Sequence, residues 1–283
     1  MVDKPAGMTS HDVVDRCRRI WSTRRVGHAG TLDPSATGVL LVAVGPATRL
    51  LRFLAGLPKA YRGQAVLGVS TSTLDADGEV VGRWDMSSVG LEEVRHAAAG
   101  LQGELLQEPP AISAVKVKGQ PLYRLARAGV AVERTPRPVT VHTFHVDPGD
   151  DGSVFDVHVV CSSGTYVRSL VADLGTRLGG GAHLRGLRRL AVGPYVIDEA
   201  RSLETLEEAD LLPPLEILRG WERVQVGPDL ARAVSHGAVF EAAGVFPDEP
   251  GPWAVVDAGG RLLATYERAG GHAKPTVVLA GGE

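Results

Sequence analysis

One loop in this chain concentrates residue types that could do chemistry. Residues 27–40 read GHAGTLDPSATGVL, with Asp33 ahead of Pro34 among glycines and small residues. Glycines and an Asp-Pro pair let a backbone turn tightly, so Asp33 either caps a rigid turn or is held forward as a lone nucleophile or base. The second role needs a cation beside the carboxylate to keep it ionised and aimed. Composition does not name that cation. Other chemistries fail on their own requirements. No G-x-x-x-x-G-K-[ST] run exists, no G-x-G-x-x-G follows a predicted strand, and no serine sits in a G-x-S-x-G elbow. His142 with His145, and His158 with Cys161, stand at odd spacings. On a regular strand that puts each pair on opposite faces, so no metal site is expected.

The elements that must hold this loop follow from periodicity and punctuation. Val13, Val14, Cys17 and Ile20 predict a helix over Ser10–Ile20, with Thr9 or Ser10 as its N-cap. Arg16, Arg18, Arg19, Arg24 and Arg25 on and beyond its other face are either a solvated surface or a contact for phosphates. A strand Val39–Val44 and a helix Ala47–Leu54 follow, which leaves the glycine-rich segment as a loop between helix and strand. Tyr61–Val69 reads as a strand, TSTLDADGEV as a turn into another, and Ser88–Leu101 as an amphipathic helix. His142–Val146 and Val154–Val160 read as neighbouring strands around DPGDDG, Thr165–Leu178 as a helix, and a further strand ends at Val192. No regular alternation of strand and crossover helix emerges. The expected class is therefore α+β, with a mixed, mainly antiparallel sheet and packed helices.

Length and charge sharpen the organisation. A chain of 283 residues predicts two domains, or one with an appendage. The net charge of −3 hides a division: residues 1–197 carry 23 basic and 18 acidic groups, residues 198–283 carry 7 and 15. A basic body suits nucleic acid, and an acidic tail does not. Lys116 to Arg137 holds six basic residues and one acidic, and reads as a basic projecting insertion with YRLARAG as a short helix. Residues 198–222, with eight acidic groups, Pro213 and Pro214, predict an acidic helix and linker, hence a boundary near 222. Strand signals at Trp253–Asp257, Leu262–Tyr266 and Pro275–Leu279 make the remainder a small β-rich appendage. Cys17 and Cys161 form no CxxC pair, which fits a reducing cytosol without disulfides. The longest strongly apolar stretch, Val39–Val44, is far too short to cross a membrane, and the N-terminus carries no signal-peptide pattern.

Seven segments, in order, resemble the TruB family of tRNA pseudouridine synthases. VDKPAGMTSHDVV is similar to the family's opening motif, GHAGTLDPSATGVL to its catalytic loop, KAYRG to its tyrosine-bearing strand, and TSTLDADGEV to the turn that follows. PPAISAVKVKGQPLYRLARAG resembles the insertion called the thumb, CSSGTYVRSLVADLG the arginine motif, and GAHLRGLRRLAVG the last core strand. The likeness covers about residues 2 to 200. It implies a catalytic domain over 1–221, with the thumb at about 109–137, and a PUA-like domain over 222–283. It implies that Asp33 is the catalytic aspartate, that Arg168 supplies the missing cation, and that Tyr61 stacks on the target uracil. His28, Tyr166, Leu187 and Asp75 would bind substrate, Asp75 having an alternative as a turn residue, and Lys4 and Pro5 would support the loop. The implied reaction isomerises uridine to pseudouridine at position 55, in the T loop of tRNA, on an extruded base and without metal or cofactor. A cytoplasmic monomer needing no protein partner is expected. Two other readings stay open: a synthase acting on another structured RNA, and an RNA-folding chaperone of the tRNA elbow.

Overall fold

The computed structural model describes residues 1–110, 116–117, 120–121, 134–242 and 244–279. Most of the thumb-like insertion, including YRLARAG, lies outside the described residues. Two compact units emerge, and neither follows chain order. The first takes Met1–Val13, Gly30–Leu40 and Gly56–Glu204, and the second takes Val14–Ala29, Leu41–Ala55 and Thr205–Glu283.

The first unit is built on a sheet with strand order Arg201–Ser202, Val2–Lys4, Thr37–Val44, Ala182–Val192, Lys59–Leu67, Val154–Cys161, Arg137–Pro148, Gly103–Gln107. Along that path Val2–Lys4 with Arg201–Ser202, and Thr37–Val44 with Ala182–Val192, run parallel, and the other neighbours run antiparallel. This is the mixed, mainly antiparallel sheet of an α+β protein. Alternation along the strands does the sorting: Tyr61, Ala65, Phe155, Val157, Val159, Phe144 and Val146 turn inward onto Val94, Ala98, Leu170, Val171 and Leu174. The latter five belong to helices Leu91–Ala99 and Val167–Arg177. Each large aliphatic side chain so buried contributes about 1.5–3 kcal/mol.

One glycine is required by this sheet. Gly38 has φ +104°, and a Cβ there would stand 2.1 Å from the Arg189 carbonyl oxygen on the neighbouring strand. Gly38→Ala should therefore cost about 3 kcal/mol and lower the thermal midpoint by roughly 5–10 °C. Gly56→Ala, whose Cβ would meet nothing within 4 Å, should leave the midpoint unchanged. Equal midpoints for the two variants in calorimetry would contradict the close approach.

The second unit carries a sheet ordered Glu222–Gln225, Trp253–Val256, Leu262–Ala269, His272–Val278, Phe240–Glu241. Its core holds Phe240, Phe246, Trp253 and Tyr266, with the Phe246 and Tyr266 rings 5.3 Å apart. Leu50 packs with Leu218, Ala254, Val256 and Leu262, which is why residues 41–55 belong here. The Trp21 indole donates to the Glu208 carbonyl at 3.1 Å.

Several local expectations change. Val26–Ala29, read as loop, is a strand paired with Leu41–Val44 of the strand Thr37–Val44. The helix expected at Ala47–Leu54 is a 3-10 helix, Gly45–Phe53, with proline in its first turn. In place of the acidic helix expected in 198–222 stand three short 3-10 turns, Ile197–Glu199, Glu208–Asp210 and Pro214–Leu218, with the strand Arg201–Ser202 between the first two and Pro213 and Pro214 at the start of the third. His142 and His145 do not fall on opposite faces. A register shift between Val141 and Thr143 leaves both exposed. Among the described residues no group of three or more His, Cys, Asp or Glu could hold a metal ion. Cys17 and Cys161 are buried free thiols, each pushed up to about 11 by burial.

Candidate functional site

The segment around Asp33 is pinned on both sides. Thr9 caps the helix Ser10–Ile20: its hydroxyl accepts the Asp12 N–H at 3.1 Å, and the Asp12 carboxylate accepts the Thr9 N–H at 2.8 Å. That leaves Ser10 free for another task, and its hydroxyl accepts the Leu32 N–H at 2.9 Å and donates to the Leu32 carbonyl at 3.2 Å. On the far side, the Pro34 carbonyl accepts from the Gly7 N–H at 2.9 Å and from Lys4 Nζ at 3.1 Å. Burial pushes the Lys4 amine down to about 8, with the Asp33 charge pulling against it. The expected supporting role of Lys4 thus has a geometry: it ties the backbone next to Asp33.

Arg168 stands in the first turn of the helix Val167–Arg177 and is 4% exposed. Its Nε lies 3.0 Å from Asp33 Oδ2, its Nη1 lies 3.4 Å from Asp75 Oδ2, and Nη1 donates to the Thr73 carbonyl at 2.8 Å. One guanidinium therefore faces two carboxylates. The turn that carries Asp75 is itself fixed: the Ala76 N–H donates to the Leu184 carbonyl, and the Leu184 N–H to the Leu74 carbonyl, both at 3.0 Å. Asp75 takes the turn role, Oδ1 accepting from Thr73 Oγ1 and the Asp77 N–H, and its Oδ2 also faces Arg168. Arginine alone would hold the Asp33 carboxyl below its ordinary range. Burial outweighs it and pushes Asp33 up, with the Asp75 charge adding in the same direction.

Asp33 opens into a cavity of about 320 Å³ lined also by Tyr61, Tyr166, Arg168 and Leu187. A second space of about 200 Å³ shares Asp33, Arg168 and Leu187 with it and adds Asp75 and Asp77. Leu187 reaches the site because the strand Ala182–Val192 shifts register between Arg185 and Arg188, at Gly186 with φ +64°. Tyr166 is held by a reciprocal clamp: its N–H donates to Gln107 Oε1 at 2.7 Å and its carbonyl accepts from Gln107 Nε2 at 3.1 Å. His28 is half-buried on the strand Val26–Ala29 opposite Val42, and is not among the lining residues of either cavity. The first cavity has room for a planar base against an aromatic face, and a fixed carboxylate from which a nucleophile or base can act.

Sequence reasoning missed three contributors. Lys59 and Arg189 line the cavity, and Gln107 holds Tyr166. Lys59 was legible, since two-residue alternation puts it on the same face as Tyr61. Arg189 was hidden in the segment GAHLRGLRRLAVG, where charge alone does not say which arginine points inward. The structure buries Arg189 at 1% exposure, whereas Arg188, paired with Asp3 at 2.7 Å, and Arg185, paired with Asp150 at 2.8 Å, stay partly exposed to solvent.

The chain is similar to known proteins along nearly its whole length. Residues 18–167 match the model of the TruB family pseudouridylate synthase N-terminal domain, 168–213 a tRNA pseudouridylate synthase B C-terminal domain, and 221–280 the C-terminal domain of tRNA pseudouridine synthase II. The chain is 47% identical over 290 residues to the tRNA pseudouridine synthase B of Thermobifida fusca, covering 99% of this chain and 98% of the relative. It is 42% identical over 288 residues to that of Mycobacterium bovis, covering 99% and 94%. Among solved structures it is similar to a Cbf5-Nop10-Gar1 complex chain, with TM-score 0.72 and 25% identity over 98% of this chain and 83% of the other. A chain of an H/ACA RNP bound to a substrate RNA shares the fold, with TM-score 0.73 at 23% identity. A family model covering more than half the chain, and relatives above 40% identity along almost all of it, agree: this chain belongs to the TruB family of pseudouridylate synthases.

Proposed function

We propose that this cavity isomerises uridine to pseudouridine in tRNA, at position 55 of the T loop. The observation that carries the reading is the Asp33–Arg168 pair, fixed at 3.0 Å beside Tyr61 in a cavity of base size. The reaction breaks the N1–C1′ glycosidic bond, turns the uracil, and forms a C5–C1′ bond, the C5 proton passing to solvent and N1 taking a proton up, so the product is an isomer of the substrate and no cofactor is consumed. A base inside a folded arm must first be extruded at a cost of a few kcal/mol, which stacking on Tyr61 against the wall of Tyr166 and Leu187 offsets. Asp33 acts on the extruded nucleotide, Arg168 aims it, Asp75 shares that guanidinium, and His28 is assigned to the substrate side on the family resemblance. Residues 1–221 would carry this chemistry, residues 222–283 would assist RNA binding, and the protein would act as a cytoplasmic monomer without a protein partner.

Tritium release from tRNA transcribed with C5-labelled uridine tests the reading. Release by the purified protein alone supports it; binding of tRNA with no release would instead favour the chaperone reading.

The electrostatics adds a pH prediction. Asp33 is raised above its ordinary value of 3.8, first by burial and further by Asp75. If the carboxylate is the working form, turnover is lost as pH falls through that raised pKa, so the acid limb of the rate profile lies above the range of an exposed aspartate. Asp75→Asn removes a like charge and should move the limb to lower pH, whatever it does to the plateau rate. An acid limb in the same place in both proteins would contradict the coupling.

A further inference from the structure

Arg189 takes no part in the chemistry just described, yet it is the most enclosed cation of the cavity, at 1% exposure. Its strand, Ala182–Val192, lies between Thr37–Val44 and Lys59–Leu67, with Gly38 and Tyr61 as its cross-strand neighbours. One guanidinium serves three partners there. Nε donates to the Val39 carbonyl at 2.7 Å, Nη2 donates to the Gly30 carbonyl at 3.0 Å, and against burial, which pushes the phenol of cross-strand Tyr61 up, the same cation holds its pKa down. Gly30 and Val39 bracket the segment that carries Asp33. Gly30 has φ +81°, a backbone conformation that favours glycine and turns its carbonyl to this donor.

We infer that Arg189 is a positioning residue: it ties both ends of the Asp33 segment to the ring of Tyr61, so that carboxylate and aromatic face keep their spacing when a base enters between them. This rests on uridine isomerisation at the same cavity. Arginine suits the task because its rigid fork of donors meets acceptors that diverge in direction, whereas a lysine ammonium is a single point on a flexible stem. Displacement of a reacting group by about 1 Å costs roughly 10²-fold in rate, which sets the size of the effect.

The test uses Arg189→Lys in the full chain, with single-turnover rate, tRNA affinity and thermal midpoint measured on one preparation, and Arg189→Gln as the second variant should the first not fold. The rate is expected to fall roughly 10²-fold with tRNA affinity unchanged and with the loss persisting well below the variant's melting range. In a cycle with Tyr61→Phe the combined loss should be smaller than the product of the single losses, because the tie to the phenol is already gone. A variant as fast as wild type, a loss that disappears in the cold, or multiplicative losses in the cycle would each overturn the inference. Wild-type turnover on the same tRNA separates the two claims, since its absence removes the isomerisation reading itself and with it the inference.

Discussion

Asp33→Asn is expected to take pseudouridine formation down by about 10³-fold or more, while the protein folds normally and still binds tRNA. The substitution keeps size and shape, and the loop does not depend on the carboxylate. Its backbone is held by Lys4, Gly7 and Ser10 through Pro34 and Leu32. Arg168 keeps Asp75 and the Thr73 carbonyl as partners. Burial already works against the Asp33 charge, so an amide there relieves a cost as it gives up an ion pair. The thermal midpoint should stay close to wild type, and removing one negative charge near RNA phosphates leaves binding equal or slightly tighter. Tritium release and filter binding on the same preparation check both halves. Near-normal release would return the loop to a rigid turn with no chemistry.

Arg168→Ala should fail differently, losing turnover and stability together. The side chain is 4% exposed and faces Asp33 and Asp75 at once, so its removal leaves two carboxylates near each other without the cation they share. Breaking a fully buried pair costs about 3–5 kcal/mol, and because the Asp33 side chain is 37% exposed the expected loss here is smaller, about 2–3 kcal/mol. The sign of its pH dependence follows. Arg168 holds Asp33 down against burial, so without it the folded-state pKa rises further. A carboxyl raised in the folded state makes the folded protein bind more protons than the unfolded one, so stability falls as pH rises. The deficit relative to wild type should therefore be larger in alkaline than in mildly acidic buffer. Unfolding curves at several pH values decide it. A deficit independent of pH would mean that Arg168 stabilises by packing alone.

Much of the fold was legible because it rests on local periodicity. The strands around Tyr61 and Val157 and the helix Val167–Arg177 follow from two-residue and 3.6-residue patterns, and the structure places them much as read. Asp33 stood out because an Asp-Pro pair among glycines is rare enough to question. What stayed hidden depends on register. The shift at Gly186 that delivers Leu187, and the one near His142 that exposes both histidines, leave no mark on a two-residue pattern. The Asp33–Arg168 pair joins residues far apart in the chain, and only the resemblance to a family named the partner in advance. Arg189 was missed for a plainer reason: in a run of arginines, charge says nothing about which one points inward.

The most direct test of the central claim is base-resolved pseudouridine mapping of an unmodified tRNA transcript incubated with the purified wild-type protein and nothing else. One modified position is expected, uridine 55 in the T loop, absent when Asp33→Asn replaces the wild type. Conversion at other positions only, or none with a protein shown to be folded and to bind the transcript, would contradict it.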